Sequence, residues 1–315
     1  MPFTSATNEP DYMRLLPPTA IRTVGHMEFL ARQAKVGGVC GRHRSPHKGS
    51  SAEFAEHRQY AAGDDLRRLD WRVYARSNRY FVKEFTEDTN LRATILLDAS
   101  ASMGYTGESA SCDEGGGAMS KFDVARRLAA MLSYLLIRQQ DAVGLVSFDR
   151  EVRHYLPARS RGSQLRRVLE HMATLTPEHE TDVGSIFHDI AERIPKRGLV
   201  IIISDLFDDP EAIVKALHHF RFRLHELLVF HVMADEEIHF PFTKFSDFHD
   251  LEGTLGQLSA NPAALRAQYL SQVRVFLDTI NQACGRMQTD YVPINTKENV
   301  SEALARYLRQ RHRTK

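Results

Sequence analysis

From residue 91 onward, short unbroken apolar runs alternate with longer stretches in which apolar residues recur every three or four positions. The runs at 93–97, 142–148 and 199–204 have the length and continuity of strands covered on both faces, and 224–233 reads as a further strand. Between them, Val124, Leu128, Met131, Leu132 and Leu135 mark a helix over 121–139, and helices follow over 163–173 and 183–193. Pro210, suited to a first helical turn, opens a helix running to about residue 222. A long helix over 262–284, a short strand over 289–293 and a helix over 302–311 complete the pattern. The segment 152–156 follows the strand 142–148 after only Asp149-Arg150-Glu151, too few residues for a crossover, so it is expected to pair antiparallel at a sheet edge.

Strands and helices in this alternation predict an α/β fold: a doubly wound, mostly parallel sheet with helices on both faces and right-handed crossovers. In such sheets ligands bind beyond the carboxyl ends of the strands. The first 90 residues read differently. Residues 1–18 are expected to be loosely ordered, and Ile21, Val24, Phe29 and Leu30 predict a helix over 21–36. A Gly/Arg/His/Ser-rich loop is expected over 37–51, a charge-dense block over 51–76, and an alternating strand over 80–85. The chain is therefore divided into an N-terminal extension, 1–90, packed on a main domain, 91–315. Residues 105–120, with Gly115, Gly116 and Gly117, are read as a flexible loop.

Charge narrows the function. The 315 residues carry 41 basic and 40 acidic side chains, so no global field draws the protein to nucleic acid or an anionic membrane. No apolar run is long enough to span a bilayer, and the N-terminus lacks the apolar core of a secretory signal. Cys40, Cys112 and Cys284 are few, odd in number and widely spaced, which suits reduced thiols in a cytoplasmic protein. The basic clusters Arg42-His43-Arg44, His47-Lys48 and the tail from Arg306 to Lys315 come without a nucleic-acid motif and read as solvated surface. In the charge-dense block, Asp64, Asp65 and Asp70 are expected to pair with Arg58, Arg67, Arg68 and Arg72. The competing reading is a docking surface around Trp71 and Tyr74.

The candidate chemistry lies where the strand 93–97 ends, in Asp98-Ala99-Ser100-Ala101-Ser102-Met103-Gly104. One carboxylate and two hydroxyls at alternate positions are hard oxygen donors able to converge on a small cation such as Mg²⁺ or Mn²⁺. Thr181, before the helix 183–193, and Asp205, at the end of the strand 199–204, belong to loops at the same sheet edge. The plainer alternative is that Ser100 and Ser102 only cap the next helix. Catalytic signatures are missing. Ser100 replaces the second carboxylate of a DxD phosphatase motif, and the chain has no GxxxxGK[ST], GxGxxG or GxSxG. The protein is therefore expected not to be an enzyme, with a metal-dependent hydrolase on the same strand-end cluster, or a metal-free scaffold, as alternatives.

The set Asp98, Ser100, Ser102, Thr181 and Asp205 resembles the metal-ion-dependent adhesion site of von Willebrand factor A domains. The wider chain resembles the DUF58 branch in Gly49-Ser50-Ser51-Ala52-Glu53-Phe54, Arg58-Gln59-Tyr60, Gly63-Asp64-Asp65 and Arg67-Arg68-Leu69-Asp70-Trp71-Arg72. The likeness continues through Val82-Lys83-Glu84, Leu97 to Met103 and Gln140 to Leu145. The resemblance implies a bacterial, cytoplasmic protein-interaction module. Its metal would be completed by an acidic side chain of a protein partner, and it would work with a MoxR-type AAA+ ATPase.

Overall fold

The computed structural model describes residues 11–31, 43–49, 53–60, 69–77, 79–89, 91–180, 182–195, 197–249, 251 and 257–313. Its centre is a six-stranded sheet built from β4 (Arg92–Asp98), β5 (Ala142–Phe148), β6 (Val152–Arg159), β7 (Leu199–Ser204), β8 (Glu226–Met233) and β11 (Asp290–Asn295). The spatial order is β11-β8-β7-β4-β5-β6. All neighbours are parallel except β6, which runs antiparallel to β5 with two register shifts. From β4 the chain builds outward to β5 and β6, then returns to the other side of β4 with β7. The crevice between the carboxyl ends of β4 and β7 is thus the switch point at which open α/β sheets bind ligands.

Alternate residues of each buried strand feed two cores. Ala93, Ile95 and Leu97 face α3 (Lys121–Arg138), α4 (Ser163–Thr174) and α9 (Val300–Arg313). Leu96, Val146 and Ile202 face α5 (Val183–Arg193), α6 (Pro210–Phe222) and α8 (Pro262–Arg286). Neither face meets water, which is why these strands read as continuous apolar runs.

The N-terminal part departs from the pattern-based reading. The helix α1 spans Pro18–Val24, with Pro18 at its first turn, and stops at Gly25. Glycine's low helix propensity favours the stop there. Phe29, read as one face of a continuing helix, is buried instead by an extended segment. Its N–H donates to Gln139 Oε1 (2.9 Å) and its carbonyl accepts from Gln139 Nε2 (3.2 Å). A 3₁₀ turn, Asp11–Leu15, stands within the stretch expected to be loosely ordered, and Leu15 joins the core. Strands β1 (His43–Gly49) and β2 (Glu53–Gln59) occupy segments read as loop and charge block, flanking β3 (Phe81–Thr89) in an antiparallel sheet. Their hydrogen bonds come from pairing with distant β3, which local polarity cannot reveal. Helix α2 (Trp71–Ser77) starts at Asp70, whose Oδ1 accepts from Arg72 N (2.9 Å). Asp64, Asp65, Arg67 and Arg68 lie outside the described residues.

Residues 105–120 are laced into place. Asp113 accepts from Gly117 N (2.8 Å), Gly116 takes a left-handed φ of 82°, and Ser109 N–H and Oγ both donate to Glu236 Oε1. Glu236 belongs to α7 (Asp235–His239), three consecutive acids in its first turn. A hairpin of β9 (Ser246–His249) and β10 (Gln257–Ala260) follows.

Candidate functional site

Strand register sets the site. Leu97 pairs with Ile203, so the next residues, Asp98 and Ser204, leave β4 and β7 side by side. Ser204 Oγ donates to Asp98 Oδ2 (2.5 Å) and accepts from Leu206 N (2.8 Å). Ser100 N–H donates to the other carboxylate oxygen, Asp98 Oδ1 (2.9 Å). Asp98 and Ser100 are fully buried, Ser102 and Asp205 nearly so.

Four of the five expected donors converge: Asp98, Ser100, Ser102 and Asp205. Thr181 lies outside the described residues. The loop just before it runs against the motif, because Ala101 N donates to His179 O (2.8 Å) and Glu178 N to Ala99 O (2.9 Å). Two non-glycine residues at this rim hold left-handed backbone, His179 at φ 61° and Leu206 at φ 51°. Such strain survives only where its surroundings enforce it, and it gathers at functional sites.

The capping alternative fails for Ser100. It stands at the start of a short 3₁₀ turn, Ala101–Gly104, yet its side chain makes no cap hydrogen bond. Its hydroxyl instead lies 3.1 Å from Ser102 Oγ. Two oxygens occupying adjacent corners of an octahedral Mg²⁺ site at 2.0–2.1 Å would be separated by about 3 Å.

Electrostatics point the same way. Burial, then the negative charge of Asp205, push the Asp98 carboxyl from 3.8 to about 7, despite hydrogen bonds from the Ser204 hydroxyl and from the Ser100 N–H and hydroxyl. Burial also opposes ionisation of Asp205, but the Lys121 ammonium outweighs it and holds Asp205 below the usual carboxylate range. Lys121 Nζ donates to Asp205 Oδ2 (2.8 Å) and Glu237 Oε1 (2.6 Å). Among the described residues no cation pairs with Asp98. A buried carboxylate pair with one member uncompensated, beside two hydroxyls at coordination spacing, fits a divalent ion. Asp98, Ser100, Ser102 and Asp205 would hold it, and it would supply an open position of positive charge. Among the described residues no cluster of three His, Cys, Asp or Glu side chains offers an alternative metal centre.

Lys121 and Ser204 escaped the sequence reading. Lys121 is the first residue of a helix, where lysine normally reads as solvated, and Ser204 reads as the polar end of an apolar strand. For Ser204 the usable signal was position, directly before the candidate ligand Asp205; for Lys121, at the far end of the 105–120 segment, the sequence offers none. His231, on β8, also supports the site. Its Nε2 faces Asp205 O (2.8 Å), a carbonyl that can only accept, so Nε2 carries the proton and Nδ1 accepts from Tyr291 Oη (2.6 Å). Burial lowers its pKa to about 4, which keeps the ring neutral. Beside the cluster opens a cavity of about 420 Å³, walled by Phe207, Met233, Val273 and Phe276, with Lys121 and Asp205 among its polar lining.

The strand order defines an α/β domain with a six-stranded, mostly parallel sheet, similar to a von Willebrand factor A domain. The chain belongs to the DUF58 family, described as a protein of unknown function, whose model matches residues 56–276. The uncharacterized proteins Rv1480 of Mycobacterium tuberculosis and Mb1516 of Mycobacterium bovis are each 29% identical over 248 residues, covering 78% of this chain and 74% of theirs. Among solved structures, the hypothetical protein BatB from Bacteroides thetaiotaomicron is 17% identical (TM-score 0.46), over 71% of this chain and all of that one. An aerotolerance-related membrane protein from Bacteroides fragilis is 18% identical (TM-score 0.43; 70% and 98% covered). The SpRpn10 VWA domain is 14% identical (TM-score 0.38; 68% and 94% covered). In this chain no described helix is long and apolar enough to cross a membrane.

Proposed function

We propose that this chain is a non-enzymatic, divalent-cation-dependent protein-interaction module that acts in the bacterial cytoplasm as adaptor of a MoxR-type AAA+ ATPase. The observation that carries the cation reading is Asp98. It is buried, raised to about 7 and, among the described residues, unpaired by any cation, within a ring of oxygen donors whose hydroxyls stand 3.1 Å apart. Mg²⁺ or Mn²⁺ at this rim would retain an open position, and a carboxylate from a protein partner would fill it. The hydrolase alternative needs a free base, and neither described candidate beside Asp205 is free. His231 is committed at both nitrogens, and Lys121 is paired with two carboxylates. The ATPase partnership and the cytoplasmic setting rest on the resemblance of the chain to DUF58 proteins of this type and on no residue of the site.

The test is co-purification of the tagged full chain with a MoxR-type ATPase in Mg²⁺, in EDTA and as Asp98→Ala, with phosphoester hydrolysis assayed alongside. Capture in Mg²⁺ that is lost in both other cases, without turnover, is the expected result. Metal-dependent turnover abolished in Asp98→Ala would replace the module with an enzyme.

A further inference from the structure

The Lys121 ammonium is an unusual neighbour for a cation site, and three observations define it. Its side chain is 3% exposed. It bridges Asp205, a candidate ligand, and Glu237 of α7. Its backbone is fixed. Lys121 N–H donates to Tyr105 O (2.9 Å), and the preceding Ser120 forms a reciprocal capping box with Asp123 (3.1 and 3.0 Å). The ammonium therefore cannot leave the site by a shift of the helix start without breaking that cap.

We propose that Lys121 is a tethered counter-cation that sets how tightly the strand-end site holds a divalent ion. It keeps that grip weak until an acidic partner adds negative charge. The proposal rests on the cation reading of the site given above. Asp98, Asp205 and Glu237 with the Lys121 ammonium leave two negative charges at full ionisation, which one divalent ion cancels. Without the ammonium the same carboxylates would carry an excess charge and draw the ion harder. An ammonium offers no lone pair to a metal; it can only repel the ion and occupy the Asp205 oxygen facing it. A carboxylate arriving from a partner restores the attraction, so ion and partner strengthen each other's binding reciprocally. Lys121 is thus a positioning and affinity-setting residue, reached through Asp205.

The experiment titrates the purified full chain with Mn²⁺ alone, by calorimetry and by loss of the free-ion electron paramagnetic resonance signal. Wild type, Lys121→Met, Glu237→Gln and Asp98→Ala are compared, with a thermal melt of each. Lys121→Met should bind Mn²⁺ on the order of tenfold more tightly or better, and Glu237→Gln several-fold more weakly. Uptake by Lys121→Met where wild type shows none supports the same proposal. If wild type and Lys121→Met bind equally and Asp98→Ala does not, the cation site stands and the role given to Lys121 is wrong. If Lys121→Met binds more weakly than wild type, the role is likewise overturned. If wild type, Lys121→Met and Asp98→Ala all take up no Mn²⁺, both readings fall. Should Lys121→Met fail to fold, Glu237→Gln decides: weaker binding supports the proposal, and unchanged or tighter binding overturns it.

Discussion

At the amino ends of β8 and β11, Arg311 from α9 is buried between Glu226 and Asp290, the first residues of those strands. It also donates to Tyr307 Oη (2.9 Å) and Leu30 O (2.7 Å), and its guanidinium lies over the Phe29 ring at 4.5 Å. At the opposite edge of the same sheet, Lys121 is buried between Asp205 and Glu237. Both are interior cations with two carboxylate partners, yet they do different things. The planar, multi-donor fork of Arg311 engages groups on β8, β11, α9 and the N-terminal segment, and so bolts the last helix and the extension to the sheet. Lys121 is a point charge in an oxygen-rich rim where a third carboxylate, Asp98, is left uncompensated. The first cluster is closed. The second is left with one carboxylate that no described cation neutralises. Buried charge is thus a poor guide to function until its balance has been counted.

Breaking the closed cluster should have the largest effect. Arg311→Met removes the buried cation from two carboxylates and detaches Leu30, and should destabilise the fold by about 3–5 kcal/mol, read from urea unfolding. The open cluster should respond in the opposite direction. The Asp98 carboxyl is raised above its unfolded value, so its ionisation opposes folding. That penalty is absent below pH 4, grows as pH rises towards 7, and is complete above it. Without added metal at pH 8, Asp98→Asn should therefore stabilise the protein by about 1–4 kcal/mol and flatten the fall of Tm between pH 4 and 7. A destabilised Asp98→Asn would mean that the site is balanced and has no demand for a cation. The smallest effect belongs to His171, half-buried and stacked on His154 at 3.6 Å. Burial, His154 and Arg153 lower its pKa to about 4. The unfolded chain then binds a proton that the folded one refuses, so stability should decline as pH falls from 6.5 to 4 and level off below. In His171→Gln that decline should shrink, as a pH series of thermal melts would show.

The part of the molecule legible beforehand is the part whose burial is two-sided. Continuous runs such as 199–204 announce their strands, and Asp98, Ser100, Ser102 and Asp205 are found because each follows such a run. The antiparallel β6 was legible from the brevity of its connection. What stayed hidden depends on partners far along the chain. β1 and β2 are strands only through β3. Phe29 is placed by Gln139, 110 positions away. Lys121 acquires its role from Asp205 and Glu237, 84 and 116 positions distant. Hydrophobic periodicity carries no information about such pairings.

The reversed strand β6 has a consequence for how the domain meets others of its kind. Its pairing with β5 slips between Val143 and Leu145, where Gly144 sits so close to the bulged backbone that a Cβ would lie 2.8 Å from Ala158 N and Leu156 O. Pro157, at the same slip, has no N–H to offer. An incoming strand would find neither a straight row of donors nor an even spacing, the features that let sheets join edge to edge. Self-association along this border is therefore discouraged.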